Sequence, residues 1–441
     1  MIKDYMNLIG IRREDKNIWE RRVALTPEQV RRLISEQQIR FVVQSSEIRV
    51  FADEEFRDAG AEVRDDISDC PVVLGIKEMP SDFFRPEGTY AFFAHIIKGQ
   101  RHNMPMLKRM MELGCSLIDY EKVTDEQGKR LIFFGRFAGI AGVIDTLAGL
   151  GRRLQIFGFK TPLWEIKLAH EYGSVQVAKE AISRIGDKIR SEGLPEELVP
   201  LIIGVTGYGN VARGVNEILD TLMPVDVKPK DLLELTKSGN RYAIYRVIFK
   251  EEDTVMPKES GKSFDLQEYF SHPELYRGKF EEHLPYLTVL VNCIYWDERY
   301  PRLVTKDYLK RAFSMGKPKL LIIGDISCDI EGSIEATVKV TNPGEPFFVY
   351  NPLEDKAIDG VTGDGLVIMA VDNLPCELAK DASHEFGQAL MPFVPLIART
   401  DFRLSLEELN LPLPIMRGLI LHKGKLTPGY EYIERFVKER T

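Results

Sequence analysis

Two apolar runs each stop at a residue able to carry a proton. PVVLGIKEMP (71–80) ends in Lys77 and Glu78, and TYAFFAHIIK (89–98) ends around His95. A strand-end lysine taken alone is ordinarily a solvated one. Arg22 adds to the pattern, because it follows a third apolar run, NLIGIR (7–12), and stands directly before VALTP. If these runs are strands of one open, parallel sheet, their carboxyl ends share an edge. A guanidinium, an ammonium and an imidazole on one edge can bind a carboxylate, polarise a carbonyl and shuttle a proton.

A second signal is a glycine-rich turn. Gly207-Tyr208-Gly209-Asn210-Val211-Ala212 follows LIIGV and opens VARGVNEIL, so a GxGxxA pattern lies between a strand-like and a helix-like stretch. The first glycine permits a tight turn, the second lets a pyrophosphate reach the backbone, and Ala212 keeps helix and strand close. An acid for a ribose hydroxyl is expected about 20 residues further on. Asp226 in MPVDVKPKD is the candidate, but Lys228 and Lys230 beside it suit a 2′-phosphate, so the residues leave NAD and NADP open.

Strands and helices must alternate to position these groups. Thr26-Pro27-Glu28-Gln29 predicts a helix start, with an N-cap Thr, Pro at the first position and Gln at the third. RFVVQSS (40–46), PVVLGIK, YAFFAHI and CSLIDY (115–120) read as further strands. MPMLKRMMEL reads as a packed helix face, and RLIFFG (130–135) as a strand after an EQGK turn. From Ala138, AGIAGVIDTLAGLGRRL is a small-residue helix suited to close packing at a domain junction. A second α/β series then runs through VPLIIGVTGYGNVARG, LTVLVNCIYW and KLLIIGDIS. The polar stretch 228–285 reads as an insertion. The expected architecture is α/β: two doubly wound, Rossmann-like domains with an interdomain cleft. Residues 1–137 with a returning segment 378–441 form the substrate domain, and 138–377 the dinucleotide-binding domain.

Composition narrows the function classes. The 441 residues are 44% hydrophobic with a net charge of −8, and the cations are dispersed, which argues against nucleic acid and anionic membranes as partners. Cys70, Cys115, Cys293, Cys328 and Cys376 include no CxxC pair, which fits thiols in a reducing cytoplasm. The N-terminus lacks a signal-peptide core and no stretch reaches the roughly 20 apolar residues of a membrane span. The histidines other than His95 have no partner at metal-ligand spacing, so no metal site is expected.

IGIRREDKNIWERRVALTPEQV, LGIKEMP, YAFFAHIIKGQ, LIDYEKVTDEQGKRLIFFGRFAGIAG, GVTGYGNVARG, VNCIYWDERYPRLVT, GDISCDIEGSIE and AVDNLPCELAKDAS, in this order, resemble one family. It is the lysine–ketoglutarate reductase and saccharopine dehydrogenase family, within an alanine dehydrogenase-like superfamily. The resemblance implies an oxidoreductase that condenses L-lysine with 2-oxoglutarate and reduces the imine to saccharopine with NADPH, or with NADH as the alternative. It also implies Lys77 and His95 as the acid–base pair and Arg22 as the ligand of the oxoacid carboxylate. Glu78, Glu121, Arg130 and Phe134 match positions near the substrates. Gly207, Gly209, Asn210, Val211, Asp226, Asn292, Cys293, Asp325 and Asp372 are the residues expected near the cofactor. Glu78, directly after the lysine, departs from the animal reductases and agrees with the fungal lysine-forming enzymes. That leaves a lysine-forming saccharopine dehydrogenase, or an amino-acid dehydrogenase with other substrates, as the alternative. A homo-oligomer is compatible with all of these readings, and a non-catalytic nucleotide-binding protein is disfavoured by Lys77, His95 and Arg22 occurring together.

Overall fold

The computed structural model describes residues 7–440, so the first six residues of the N-terminal stretch lie outside it. The chain divides into two compact units, Met1–Phe134 with Ala379–Thr441, and Gly135–Leu378.

The first unit opens with β1 (Leu8–Ile11), β2 (Arg40–Gln44), β3 (Glu62–Arg64), β4 (Val72–Leu74), β5 (Thr89–Phe92) and β6 (Ser116–Asp119), all parallel, in the spatial order β3-β2-β1-β4-β5-β6. The chain builds outward from β1 in one direction, then restarts at β4 and builds in the other. The carboxyl ends of β1 and β4 therefore flank the topological switch point, where open α/β sheets hold ligands. Strands β4, β5 and β6 are buried along their whole length, as expected of strands covered on both faces. Helix α1 (Pro27–Gln37) starts as the sequence predicts: Thr26 Oγ1 accepts from the Gln29 N–H and Gln29 Oε1 accepts from the Thr26 N–H. Helix α2 (Met104–Glu112) buries Met104, Met106, Leu107 and Met110, so its methionines are core.

The second unit begins with helix α3 (Gly135–Ile156) and carries β7 (Leu201–Thr206), β8 (Val225–Val227), β9 (Ile244–Phe249), the hairpin β10 (Val255–Pro257) and β11 (Tyr276–Gly278), then β12 (Val289–Asn292), β13 (Ile322–Asp325), β14 (Phe347–Asn351), β15 (Lys356–Asp359) and β16 (Leu366–Met369). Its main sheet runs β8-β9-β7-β12-β13-β16-β14-β15, parallel except at β14 and β15. Its switch point lies between β7 and β12. The small residues of α3 have a steric reason. A Cβ on Gly139 would sit 2.0 Å from the Val211 carbonyl oxygen, and one on Gly214 would sit 2.0 Å from that of Arg136. Helix α3 and helix α4 (Asn210–Leu219), the helix opened by the glycine turn, therefore touch backbone to backbone. After the second unit the chain returns to the first and adds β17 (Leu419–His422) and β18 (Lys425–Leu426) antiparallel beyond β6.

The fold class is the one expected, and two local readings are corrected. RLIFFG forms no strand. Arg130 makes one isolated bridge with Thr124, Ile132 is buried in the first unit's core, and Gly135 already opens α3. The stretch 228–285 is not a simple insertion, because it supplies β9, the strand seated directly beside β7. Its pattern misleads because Arg246 interrupts the apolar run. That arginine is buried in mid-strand only because Asp226 and Asp220 pair with it, at 2.7 and 2.6 Å.

Candidate functional site

In the first unit the carboxyl edge around the switch point collects charge. Lys77 and Glu78 follow β4, His95 follows β5, Glu121 follows β6, and the chain leaving β1 runs irregularly through Arg12, Glu14, Lys16, Glu20 and Arg22 before α1 begins. The His95 Nδ1 lies 2.6 Å from Glu78 Oε1, a charge-assisted contact when the ring is protonated. Burial alone would raise the Glu78 pKa, but the His95 hydrogen bond, the imidazolium and Lys16 at 3.4 Å outweigh it and hold the carboxyl well below the usual range. The His95 backbone is left-handed at φ 47, unusual for a residue with a Cβ. It is braced by the Asn103 side-chain amide, which donates to the Ala94 and His95 carbonyls at 3.1 Å.

Lys77 is largely enclosed, and burial is the first cause that lowers its pKa. Arg22 and Lys16 add to that effect, while Glu20 and Glu78 offset part of it. Its ammonium thus gives up a proton more readily than that of a solvated lysine. The Nε and Nη2 of Arg22 donate to Glu20 at 2.7 and 2.6 Å, in a pair with almost no solvent exposure. The Arg22 guanidinium carbon lies 4.2 Å from the Phe134 ring centre, and Phe134 stacks on Phe386 at 4.7 Å and 6°. Phe93 and Tyr120 extend this aromatic floor. Arg130 is ion-paired to Glu121 at the same edge. All seven residues expected at the substrate side thus lie in this unit, on or beside one sheet edge. Glu14, Lys16, Glu20 and Phe386 join them without having been legible as site residues. Phe386 arrives from the returning C-terminal segment, and no local motif announces it.

In the second unit Gly207 adopts φ +86, a conformation open to glycine at little cost. A Cβ on Gly209 would meet nothing within 4 Å, so the turn leaves space over the first amides of α4. Asn210 and Val211 open that helix, and the Asn210 side-chain oxygen accepts from Arg213. Beside the turn is a cavity of about 310 Å³, bounded by Gly207, Gly209, Cys293, the end of β9 at Lys250 and Glu251, and an aromatic wall that includes Tyr269 and Trp296. Burial pushes the Cys293 thiol far above its ordinary range, so it stays neutral there.

The other residues expected at the cofactor are placed differently. Asn292 and Asp325 have no exposed surface. The Asn292 amide donates to Asp325 at 2.9 Å and to Ser333 at 2.8 Å, and its oxygen accepts from Thr206; Thr337 donates to the second Asp325 oxygen at 2.6 Å. These two side chains tie the ends of β7, β12 and β13 together and present nothing to a ligand. Asp226 does not end the strand beside β7. It sits on the edge strand β8, bidentate to Arg246 at 2.7 and 3.0 Å, because β9 has entered the sheet between β8 and β7. The residues at the position where a ribose acid is expected are Lys250 and Glu251, after β9, with Glu251 accepting from the Tyr208 hydroxyl at 3.1 Å. Lys250 also borders a second cavity of about 450 Å³, lined as well by Lys228, Lys230 and Asp226. Asp372 follows β16 and is exposed.

Comparison with known proteins agrees with the fold. The model "Alanine dehydrogenase/PNT, N-terminal domain" matches residues 10–141, and "Alanine dehydrogenase/PNT, C-terminal domain" matches residues 266–429. The chain is 40% identical to the alpha-aminoadipic semialdehyde synthase of Arabidopsis thaliana, over 98% of this chain and 42% of that one. To the mitochondrial alpha-aminoadipic semialdehyde synthase of Bos taurus it is 34% identical, over 98% and 48%. It therefore spans less than half the length of these relatives. The saccharopine dehydrogenase [NAD(+), L-lysine-forming] of Emericella nidulans is 28% identical over 88% of this chain and 91% of that one. Among solved structures, an L-alanine dehydrogenase superposes with a TM-score of 0.62 at 16% identity, covering 98% of this chain and all of the other. No helix among the described residues is long and apolar enough to cross a membrane.

Proposed function

The chain belongs to the alanine dehydrogenase/PNT family, and on that premise we propose that it condenses the ε-amine of lysine with 2-oxoglutarate and reduces the imine to saccharopine with NADPH. The observation that carries the reading is the group at the carboxyl edge of β4 and β5: an enclosed lysine whose ammonium burial disfavours, beside an imidazole held 2.6 Å from a carboxylate.

The chemistry needs more than one proton carrier. The substrate ammonium must lose a proton before it attacks the keto carbon, and the carbinolamine hydroxyl must gain one to leave as water. Lys77, whose ammonium is disfavoured relative to that of a solvated lysine, accepts the first proton. His95, its ring fixed by Glu78 and its backbone by Asn103, donates to the departing hydroxyl. Arg22 and Arg130 take the substrate carboxylates, sharing their guanidinium groups with Glu20 and Glu121, while the Phe134–Phe386 floor keeps water from the imine. The glycine turn fits a dinucleotide: the space over Gly209 admits a pyrophosphate to the amides of α4, and the aromatic-walled cavity suits an adenine. A reduced nicotinamide bound there supplies the hydride. Lys250, with Lys228 and Lys230 around the adjoining cavity, favours a ribose 2′-phosphate and hence NADPH, against the acids Glu251 and Glu252 of the same stretch. The five cysteines are free thiols, which suits a reducing compartment such as the cytoplasm.

Glu78 favours one second reading, the lysine-forming direction named in the Emericella nidulans relative. Cofactor absorbance followed with lysine plus 2-oxoglutarate, with alanine, ornithine and pyruvate as controls, tests the proposal. NADPH consumption restricted to the lysine and 2-oxoglutarate pair is the expected result. Consumption only with another amine or oxoacid would end the proposal. Turnover only with NAD and saccharopine would favour the second reading.

A further inference from the structure

The β1–β4 ladder runs out where the lysine is needed. Arg12 N–H still reaches the Leu74 carbonyl at 2.9 Å, and the Gly75 N–H turns to Ala91 on β5. The next two amides, those of Ile76 and Lys77, have no backbone acceptor on β1. Their hydrogen bonds go to one side chain: Glu14 Oε1 accepts from Ile76 at 2.7 Å and Glu14 Oε2 from Lys77 at 3.0 Å. Glu14 is 4% exposed. It stands three residues past β1, on the other side of the switch point from Lys77, with Oε1 at van der Waals distance, 3.5 Å, from where a Cβ on Gly75 would lie.

We propose that Glu14 is a positioning residue for Lys77, whose ionised carboxylate clamps the Ile76 and Lys77 amides and so aims the lysine side chain; a proton on Glu14 loosens the clamp. The proposal rests on the reading of Lys77 as the proton acceptor. Its physical basis is that both oxygens are in use. A carboxylate serves two N–H donors with charge-assisted bonds, whereas a carboxylic acid turns one oxygen into a donor facing a donor. The charged groups facing Glu14 are Arg12, which favours the carboxylate, and Glu20, which opposes it; the Tyr120 hydroxyl is also close enough to feel its charge. Burial outweighs Arg12 and brings the Glu14 pKa up to about 7, so the clamp titrates within the working range of an acid–base catalyst.

The test reads Lys77 itself and does not depend on which substrates turn over. Acylation of Lys77 by an amine-reactive reagent is followed across pH 5–9 by peptide mass spectrometry in the wild type, in Glu14→Gln, in Glu14→Asp and in Arg12→Gln. The wild type is expected to show a step near pH 7. Glu14→Gln loses that step, Glu14→Asp keeps it, and Arg12→Gln moves it to higher pH by removing the neighbouring cation. Where turnover is measurable, Glu14→Gln lowers kcat by about 10- to 100-fold with nucleotide Kd within about twofold of wild type, and Glu14→Asp restores part of the loss. A step that persists in Glu14→Gln, or stays in place in Arg12→Gln, overturns the proposal. If Glu14→Gln does not fold, the wild-type and Arg12→Gln curves decide alone. Failure of the lysine and 2-oxoglutarate assay with the labelling pattern intact would instead count against the proposed substrates.

Discussion

Replacing Lys77 by Met separates a catalytic lysine from a structural one, because the two roles predict opposite signs. The substitution keeps an unbranched side chain, one atom shorter, and removes the nitrogen. That nitrogen makes no hydrogen bond or ion pair among the described residues, and burial together with Arg22 and Lys16 disfavours its charge. Losing it removes a desolvation penalty and two like-charge contacts, which outweigh the attraction of Glu20 and Glu78 lost with it, and no bond. Stability should therefore hold or rise by about 0.5–1 kcal/mol, a Tm change of roughly +0.5 to +1 °C in a chain of this size. Turnover should move the other way. A positioned proton carrier contributes about 10²–10⁴-fold, or roughly 2.7–5.5 kcal/mol in the barrier. The assay pairs kcat for lysine plus 2-oxoglutarate with a thermal melt and nucleotide titration of the same preparation. Nucleotide Kd should stay within about twofold, since the glycine turn belongs to the other unit. A kcat within tenfold of wild type would refute the role of the lysine, and a lower Tm alongside lost activity would mean that the residue is structural.

Three further outcomes follow from the geometry. Asp226→Ala should leave KM for NADPH and NADH within about threefold, because that carboxylate is committed to Arg246, whereas Lys250→Glu should raise KM for NADPH about tenfold or more; steady-state kinetics with both nucleotides decides, and the reverse pattern would restore Asp226 as the ribose acid. Asn292→Ala should lower stability by about 3 kcal/mol in urea, since it strips Asp325 and Thr206 of buried partners, and an unchanged midpoint would refute the bracing role. Glu377 and Asp145 are buried facing each other, with His170 at 3.5 Å from Glu377; burial brings the Glu377 pKa up to about 8 from 4.5 and raises that of Asp145 too. The folded state thus holds more protons than the unfolded one between those values. Their contribution is complete below about pH 4.5 and is lost as pH rises through about 8. Glu377→Gln should match wild type at pH 5 and exceed it by about 2 kcal/mol at pH 8.5, measured by urea unfolding at both pH values.

What the sequence revealed and what it hid have one physical origin. Lys77, His95 and Gly207 were legible because each follows an apolar run whose length and content mark a buried strand, and a strand end is a local feature. Thr26 and Gln29 were legible for the same reason, since a capping box closes within four residues. Asp226 misled because its meaning depends on strand order, which the local pattern does not carry. The strand beside β7 holds a buried arginine, and only the pairing of Arg246 with two aspartates from other segments makes it a strand at all. Glu14, Glu20 and Phe386 were hidden for a related reason. Glu14 and Phe386 act on groups distant in sequence, and Glu20 pairs with Arg22 two residues on inside an irregular segment, where periodicity gives no signal.

The two units also show how one kind of switch point suits two chemistries. In both, the first strand of the series has the earlier strands on one side and the strand that restarts the series on the other, β2 and β4 beside β1 and β9 and β12 beside β7, so both have a switch point at a carboxyl edge. They differ in what leaves the first strand. After β7, three residues lead into a ten-residue helix, and its first amides with a bare Gly209 suit an anion through the backbone. After β1, the chain wanders for fifteen residues before α1, too far for that helix to present its amides at the strand end, and the interval is filled by charged side chains. Backbone amides suit a pyrophosphate, which needs several weak donors and no proton transfer. Side-chain cations and acids suit carboxylates and a carbonyl, whose chemistry requires protons to move. Shortening the β1–α1 interval would remove Arg22, Glu20 and Glu14 together, so its length is as much part of the proposed catalyst as the residues it carries.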